Sequence, residues 1–215
     1  MRSMYHLTEN FFTRLSEHVL IDLSHRCPLE CPRCQRQEHY TNLGKPVIGY
    51  DLPLDTIEKV ISQCKSICFG GQLSDPIHHP KFTEILSMCY RNRVRARIQT
   101  ASSFKPESWY VKAWQSNPNA IWQFGIDGLP EQSHLYRKNQ DGVKLFKMMC
   151  KSKNYLNTTP VWQSIVFRYN ENDIDKVKDI AFEKGVKLVI MYSHRWLSGK
   201  DPLRPINKEY WLKRK

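Results

Sequence analysis

The feature that most narrows the fold is a regular alternation of short β-branched runs with amphipathic stretches of helical length. The runs are His18 to Ser24, Ser66 to Phe69, Val94 to Gln99, Ala120 to Ile126, Pro160 to Arg168 and Val186 to Tyr192. Between them lie Leu54 to Gln63, Pro80 to Tyr90, Pro106 to Gln115, Val143 to Lys151 and Ile174 to Lys184, each with the helical period. Strands that alternate with helices pair in parallel, and their crossovers are right-handed. Eight such units close a full barrel at about 250 residues. With 215 residues and six runs, the expectation is an α/β fold, a parallel six-stranded (β/α)6 partial TIM barrel. The core domain is expected over 18–195, after a lead-in over 1–17 and before a basic tail over 196–215. The functional site of such a sheet lies at the carboxyl ends of its strands.

Directly after the first run stands Cys27-Pro-Leu-Glu-Cys31-Pro-Arg-Cys34, with spacing C-x3-C-x2-C. Thiolates are soft ligands suited to iron–sulfur clusters or zinc. Three on one loop can grip three irons of a cubane and leave the fourth open, which catalysis needs and a structural zinc site lacks. A structural zinc would take a fourth ligand from His25 or His39. Cys64, Cys68, Cys89 and Cys150 sit in or beside apolar segments and are expected in the core. Seven cysteines, an odd number, argue against a disulfide framework. The first residues include Arg2, His6, Glu9 and Arg14 in place of an apolar leader. No apolar run approaches the roughly 20 residues that span a bilayer. The expected setting is the cytoplasm, away from membranes.

The strand followed by C-x3-C-x2-C, within a six-fold β/α alternation, resembles the radical S-adenosylmethionine (SAM) superfamily, and the matches run from about Val19 to Tyr192. The resemblance implies a [4Fe–4S] cluster on Cys27, Cys31 and Cys34, with SAM chelated at its open iron. Reductive cleavage of SAM would then give a 5′-deoxyadenosyl radical that abstracts hydrogen from substrate. Phe69-Gly70-Gly71-Gln72-Leu73-Ser74-Asp75-Pro76 resembles a longer form of the family's Gly-Gly-Glu-Pro segment, which binds the methionyl amino group. The residue for that ammonium is Asp75 or Gln72, and a carboxylate favours Asp75. Gln99-Thr100-Ala101 resembles the family's Thr-Asn-Gly turn, which assigns Thr100 to a ribose or carboxylate oxygen. Gly125-Ile126-Asp127-Gly128 resembles its Ser-Ile-Asp-Gly, with Gly125 in place of a ribose-binding serine and Asp127 retained. Arg137 matches an arginine that faces the methionyl carboxylate or the substrate, and Asn170 falls where adenosine is met. Arg33 replaces the usual aromatic residue before the last cysteine.

The resemblance also implies an electron donor such as flavodoxin or ferredoxin. A chain this short is expected to need an enclosing substrate or partner protein. No cysteine follows Cys150, so the cysteine-rich extension of many relatives is not part of this sequence. The net charge of +12, with Arg91, Arg93, Arg95, Arg97 and the terminal Lys213-Arg214-Lys215, favours an acidic, nucleotide or peptide substrate. The alternative is a metal-stabilised nucleic-acid-binding protein, for which that charge and Trp114, Trp122, Trp162 and Trp196 would speak. A family member that kept the fold and lost the reaction is the third possibility, raised by Arg33, Ala101 and Gly125.

Overall fold

The structure, a computed structural model, describes residues 17–47, 49–70, 73–193, 196 and 199–211. Strands β1 (His18–Ile21), β2 (Ser66–Phe69), β3 (Arg95–Thr100), β4 (Ile121–Gly125), β5 (Val161–Ile165) and β6 (Lys187–Met191) form one sheet in sequence order. Every neighbouring pair is parallel, with His18 opposite Ser66, Arg97 opposite Ile121 and Ile165 opposite Met191. β1 and β6 are the two edges, so the barrel is open, as the six-fold alternation implies. Helices α1 (Gln35–Asn42), α2 (Leu54–Ile61), α3 (Phe82–Arg91), α4 (Glu107–Ser116), α5 (Gly142–Ser152) and α6 (Ile174–Glu183) fill the crossovers.

Strand periodicity sorts the side chains into two faces. In β3, Ala96, Ile98 and Thr100 are buried, while Arg95 and Arg97 are exposed on the other side. The buried face meets α3 and α4 through an aromatic layer in which Phe82, Tyr110, Trp114 and Trp122 touch edge to face. Trp114, Trp122 and Trp162 have no exposed surface, so none of them offers a ring for stacking on bases. Trp196 packs against Phe167. The arginine run is divided by the same geometry: Arg91 ends α3, Arg93 turns with φ 58°, and Arg95 and Arg97 project from the concave face of the sheet.

Of the remaining cysteines, Cys64 and Cys89 join the core, and Cys68 faces the concave side. The Cys89 thiol is pushed up to about 12, first by burial and then by the neighbouring Cys64. A folded value raised above the usual 9.0 contributes stability that is whole below pH 9 and lost as pH climbs through about 12. The urea midpoint of the apoprotein should therefore fall above pH 9, and fall less steeply in Cys89→Ala. Equal slopes for the two proteins would remove Cys89 as a cause.

The stretch between β1 and α2 contains a helix where the sequence suggested only a loop. α1 is polar nearly all round, yet it buries Arg36 and Tyr40, four residues apart on one face. After β6 the chain turns back over the β5–α6 connection. Arg168 N–H donates to the Leu203 carbonyl, and Glu171 accepts from the amides of Ile206 and Asn207. The lead-in residues 1–16, and Lys213, Arg214 and Lys215, lie outside the described residues.

Candidate functional site

The cysteine loop is fastened on three sides. Arg26 bonds both oxygens of Asp51 at 2.9 and 3.0 Å and the Gly49 carbonyl at 2.7 Å. The Asp75 amide donates to the Arg26 carbonyl at 3.0 Å. On the far side, Asn139 Nδ2 donates to the Pro28 carbonyl, and the Glu30 amide to that of Lys138. Arg36 clamps the loop from within: its guanidinium donates to the carbonyls of Leu29 at 2.8 Å and His25 at 3.4 Å. Arg36 is 4% exposed, and its Nε has no partner among the described residues. Cys34 occupies the N-cap position of α1, so that helix directs its positive end toward the thiol.

Cys27, Cys31 and Cys34 line one pocket together with Arg36, Asp75, Arg137 and the ends of β3, β4 and β5. This is the carboxyl end of the sheet, where the topology requires a site. Burial, followed by the charge of Asp75, pushes the Cys27 thiol up to about 12. Burial also raises Cys31, with Arg137 acting against it. Among the described residues, no three His, Cys, Asp or Glu side chains converge so as to hold a single metal ion. Three thiols on one loop are a donor set that an iron–sulfur cluster would accept, each thiolate on a separate iron. Arg36 and Arg137 would offset the negative charge of that group.

Two carboxylates at the strand ends are fully engaged. Asp75, buried, accepts from the Thr100 hydroxyl at 2.9 Å and from the amides of Ala101 and Ser102 at 2.8 and 2.9 Å. Asp75 and Thr100 thus tie the loop after β2 to the end of β3. Asp127, with no exposed surface, accepts from Arg137 Nε and from the Ile165 amide, both at 2.8 Å. Arg137 is thereby held above its ordinary value: burial opposes its charge, and Asp127, then Cys31, overcome that. Its outer nitrogens reach across Gly125, where an added Cβ would stand 3.1 Å from Nη2. A serine there would crowd the guanidinium, so glycine makes room for Arg137 beside the cysteines.

Gly70 closes β2 with its α-carbon beside Leu20 and Gln99. Asn170 is buried outside this pocket, its carbonyl accepting from the Phe167 amide and its Nδ2 donating to the Ile165 carbonyl. Its Cβ lies 2.6 Å from where a side chain would begin at Gly128, whose φ of +79° also calls for glycine. Gly71 and Gln72 lie outside the described residues, as do His194 and Arg195 of the segment after β6.

Sequence reasoning passed over Arg36 and the three glutamines Gln99, Gln123 and Gln163, all of which line the pocket. The signal was present, because each glutamine stands near the carboxyl end of a strand on its concave face. Also unforeseen is the partner of Arg33, whose Nη2 meets the buried Asp201 carboxylate at 2.7 Å across 168 positions of sequence. That contact brings the segment after β6 onto the cysteine loop at Arg33, the residue before the last cysteine.

No protein-family model and no curated protein matches this sequence. Solved structures do match its fold. Streptococcus suis SuiB bound to S-adenosylmethionine is similar with a TM-score of 0.67 at 14% identity, over 89% of this chain and 44% of that one. The same protein bound to precursor peptide SuiA gives 0.69 at 13% identity, over 88% and 42%. Native anSMEcpe with bound AdoMet gives 0.62 at 18% identity, over 86% and 55%. Methylornithine synthase (PylB) gives 0.56 at 13% identity, over 80% and 52%. The chain therefore has the open-barrel fold of these proteins and spans about half the length of each. Among the described residues, no helix is long and apolar enough to cross a membrane.

Proposed function

We propose that this chain is a radical SAM enzyme in which Cys27, Cys31 and Cys34 hold a [4Fe–4S] cluster. The observation that carries this reading is the gathering of three thiols, from one braced loop, at the mouth of a pocket at the carboxyl end of a six-stranded open barrel. When bound, the cluster supplies the electron, drawn from a donor such as flavodoxin or ferredoxin, that cleaves SAM to methionine and a 5′-deoxyadenosyl radical. The protein's part is to bind and orient. Arg137, fixed by Asp127, presents its outer nitrogens to the methionyl carboxylate, a match that a planar guanidinium makes in two bonds. Asp75, its oxygens already bonded to Thr100 and the backbone, offers its charge to the methionyl ammonium across the pocket. Gly70, with no Cβ to hold a ligand off, would stand beside that end of SAM. Asn170 shapes the β5 turn behind the adenosine.

The substrate we favour is a peptide or other acidic molecule, and SuiB and anSMEcpe, crystallised with peptides, support it. A six-stranded open barrel is not closed between β1 and β6, so the substrate or a partner protein would complete the enclosure that radical chemistry needs. The test is to reconstitute the chain without oxygen with iron and sulfide, then add SAM and dithionite and measure 5′-deoxyadenosine by chromatography. Release that depends on both iron and reductant is the expected result. Zinc retained in place of iron, with no release, would overturn the assignment.

A further inference from the structure

Gln99, Gln123 and Gln163 take no part in holding the cluster, yet all three line its pocket. Arg97 dictates how two of them point. A guanidinium only donates, so the 3.1 Å bond from Arg97 Nη1 ends on Gln123 Oε1. Gln123 Nε2 must then face Gln163, whose Oε1 accepts from it. The end of Gln163 left over is its Nε2, a donor without a partner among the described residues. The Gln99 amide likewise bonds to nothing among the described residues. The floor beneath the cysteines thus includes one free donor end, that of Gln163.

Below the Arg97–Gln123 bond, the same concave face opens into a second chamber of about 400 Å³ lined by His18, Ser66, Arg95 and Arg97. None of the six strands contains an Asp or Glu. The nearby rim carboxylates are engaged, Asp75 by Thr100 and two amides and Asp127 by Arg137. The strands of the concave face therefore hold cations and donors and no carboxylate of their own; Glu17, beside His18, is paired with Lys65, and Asp75 stays at the rim.

We propose that this face is a platform for a carboxylate-bearing substrate, an acidic peptide segment. Its carboxylates sit on Arg95 and Arg97, and an oxygen acceptor meets Gln163 Nε2 below the cysteines. The inference rests on the radical SAM reading for the seated segment being the substrate; the seating itself depends only on the face. Planar guanidinium and amide donors match a planar carboxylate in two bonds. A chamber of about 400 Å³ takes a few side chains and not a nucleic-acid helix.

The test uses the full, cluster-reconstituted chain and fluorescence anisotropy of labelled hexaglutamate, at ~0.15 M salt so that diffuse surface attraction is screened. Hexaglutamate should bind saturably and labelled hexalysine should not. Arg97→Gln should weaken binding at least ~10-fold. Gln163→Glu keeps the acceptor for Gln123 and reverses the free end from donor to anion, so it too should weaken binding ~10-fold. Lys147→Gln, the same change of charge on the exposed side of α5, should leave it within about 2-fold. The platform is overturned if hexaglutamate does not bind, if Lys147→Gln weakens it as much as Arg97→Gln, or if a single-stranded dodecanucleotide displaces it and binds more tightly. Deoxyadenosine release is read separately. Hexaglutamate binding without release leaves the platform standing and counts against radical chemistry; release without binding does the reverse.

Discussion

Replacing Cys31 by alanine should abolish iron loading and deoxyadenosine release while leaving the fold intact. Cys31 is the middle donor of the three, and its side chain faces the pocket beside Arg137. It lies outside the apolar core, so its loss creates no cavity there. The apoprotein should unfold within about 0.5 kcal/mol of wild type, as expected of a substitution away from core, caps and buried pairs. Two thiolates, however, hold only two corners of a cubane. Iron after reconstitution should drop from about four to below one per chain, and deoxyadenosine release by at least ~100-fold, a loss of about 2.7 kcal/mol. Wild-type release from the variant would remove the loop from the chemistry. Loss of folding together with iron would make the cysteines structural.

Asp127→Ala has the opposite profile, a large cost in stability before any question of activity. Asp127 has no exposed surface, and its carboxylate serves both Arg137 Nε and the Ile165 amide. Truncation leaves the Arg137 cation, whose side chain is 15% exposed, without its counter-charge and a buried amide without an acceptor. Breaking such a pair from one side costs about 3–5 kcal/mol, a large fraction of the 5–15 kcal/mol typical of a domain. Asp127→Asn keeps an acceptor for Ile165 and loses the charge, so about 1–3 kcal/mol is expected. Urea denaturation of the apoproteins measures both. A cost below about 1 kcal/mol for the alanine variant would mean that Arg137 finds another partner or water.

The sheet was legible because its pattern is local. Ser66–Phe69 was delimited to the residue, and the other strands and helices lie within a few residues of their expected bounds. α1 was not legible, because Gln35–Asn42 shows no apolar stripe, and what it buries, Arg36 and Tyr40, reads as polar. Nor could the sequence tell what Asp75 and Asp127 are bonded to. Both were picked out by their neighbours in the chain, but the donors that fill their oxygens come from Thr100, Ala101, Ser102, Arg137 and Ile165. Asn170, expected at the adenosine, spends its amide on its own turn.

The sequence by itself determined the strand count, the parallel pairing, the open barrel and the end of the sheet at which the three cysteines sit. Each of these follows from periodicity and spacing over a few residues. Only the tertiary structure decided which charges are paired, which are left facing the pocket, and how the amides of Gln123 and Gln163 are turned. Those outcomes depend on groups 26 to 168 positions apart meeting at hydrogen-bond distance. No local pattern encodes such a meeting, because desolvation makes buried polar groups find partners wherever the fold brings them.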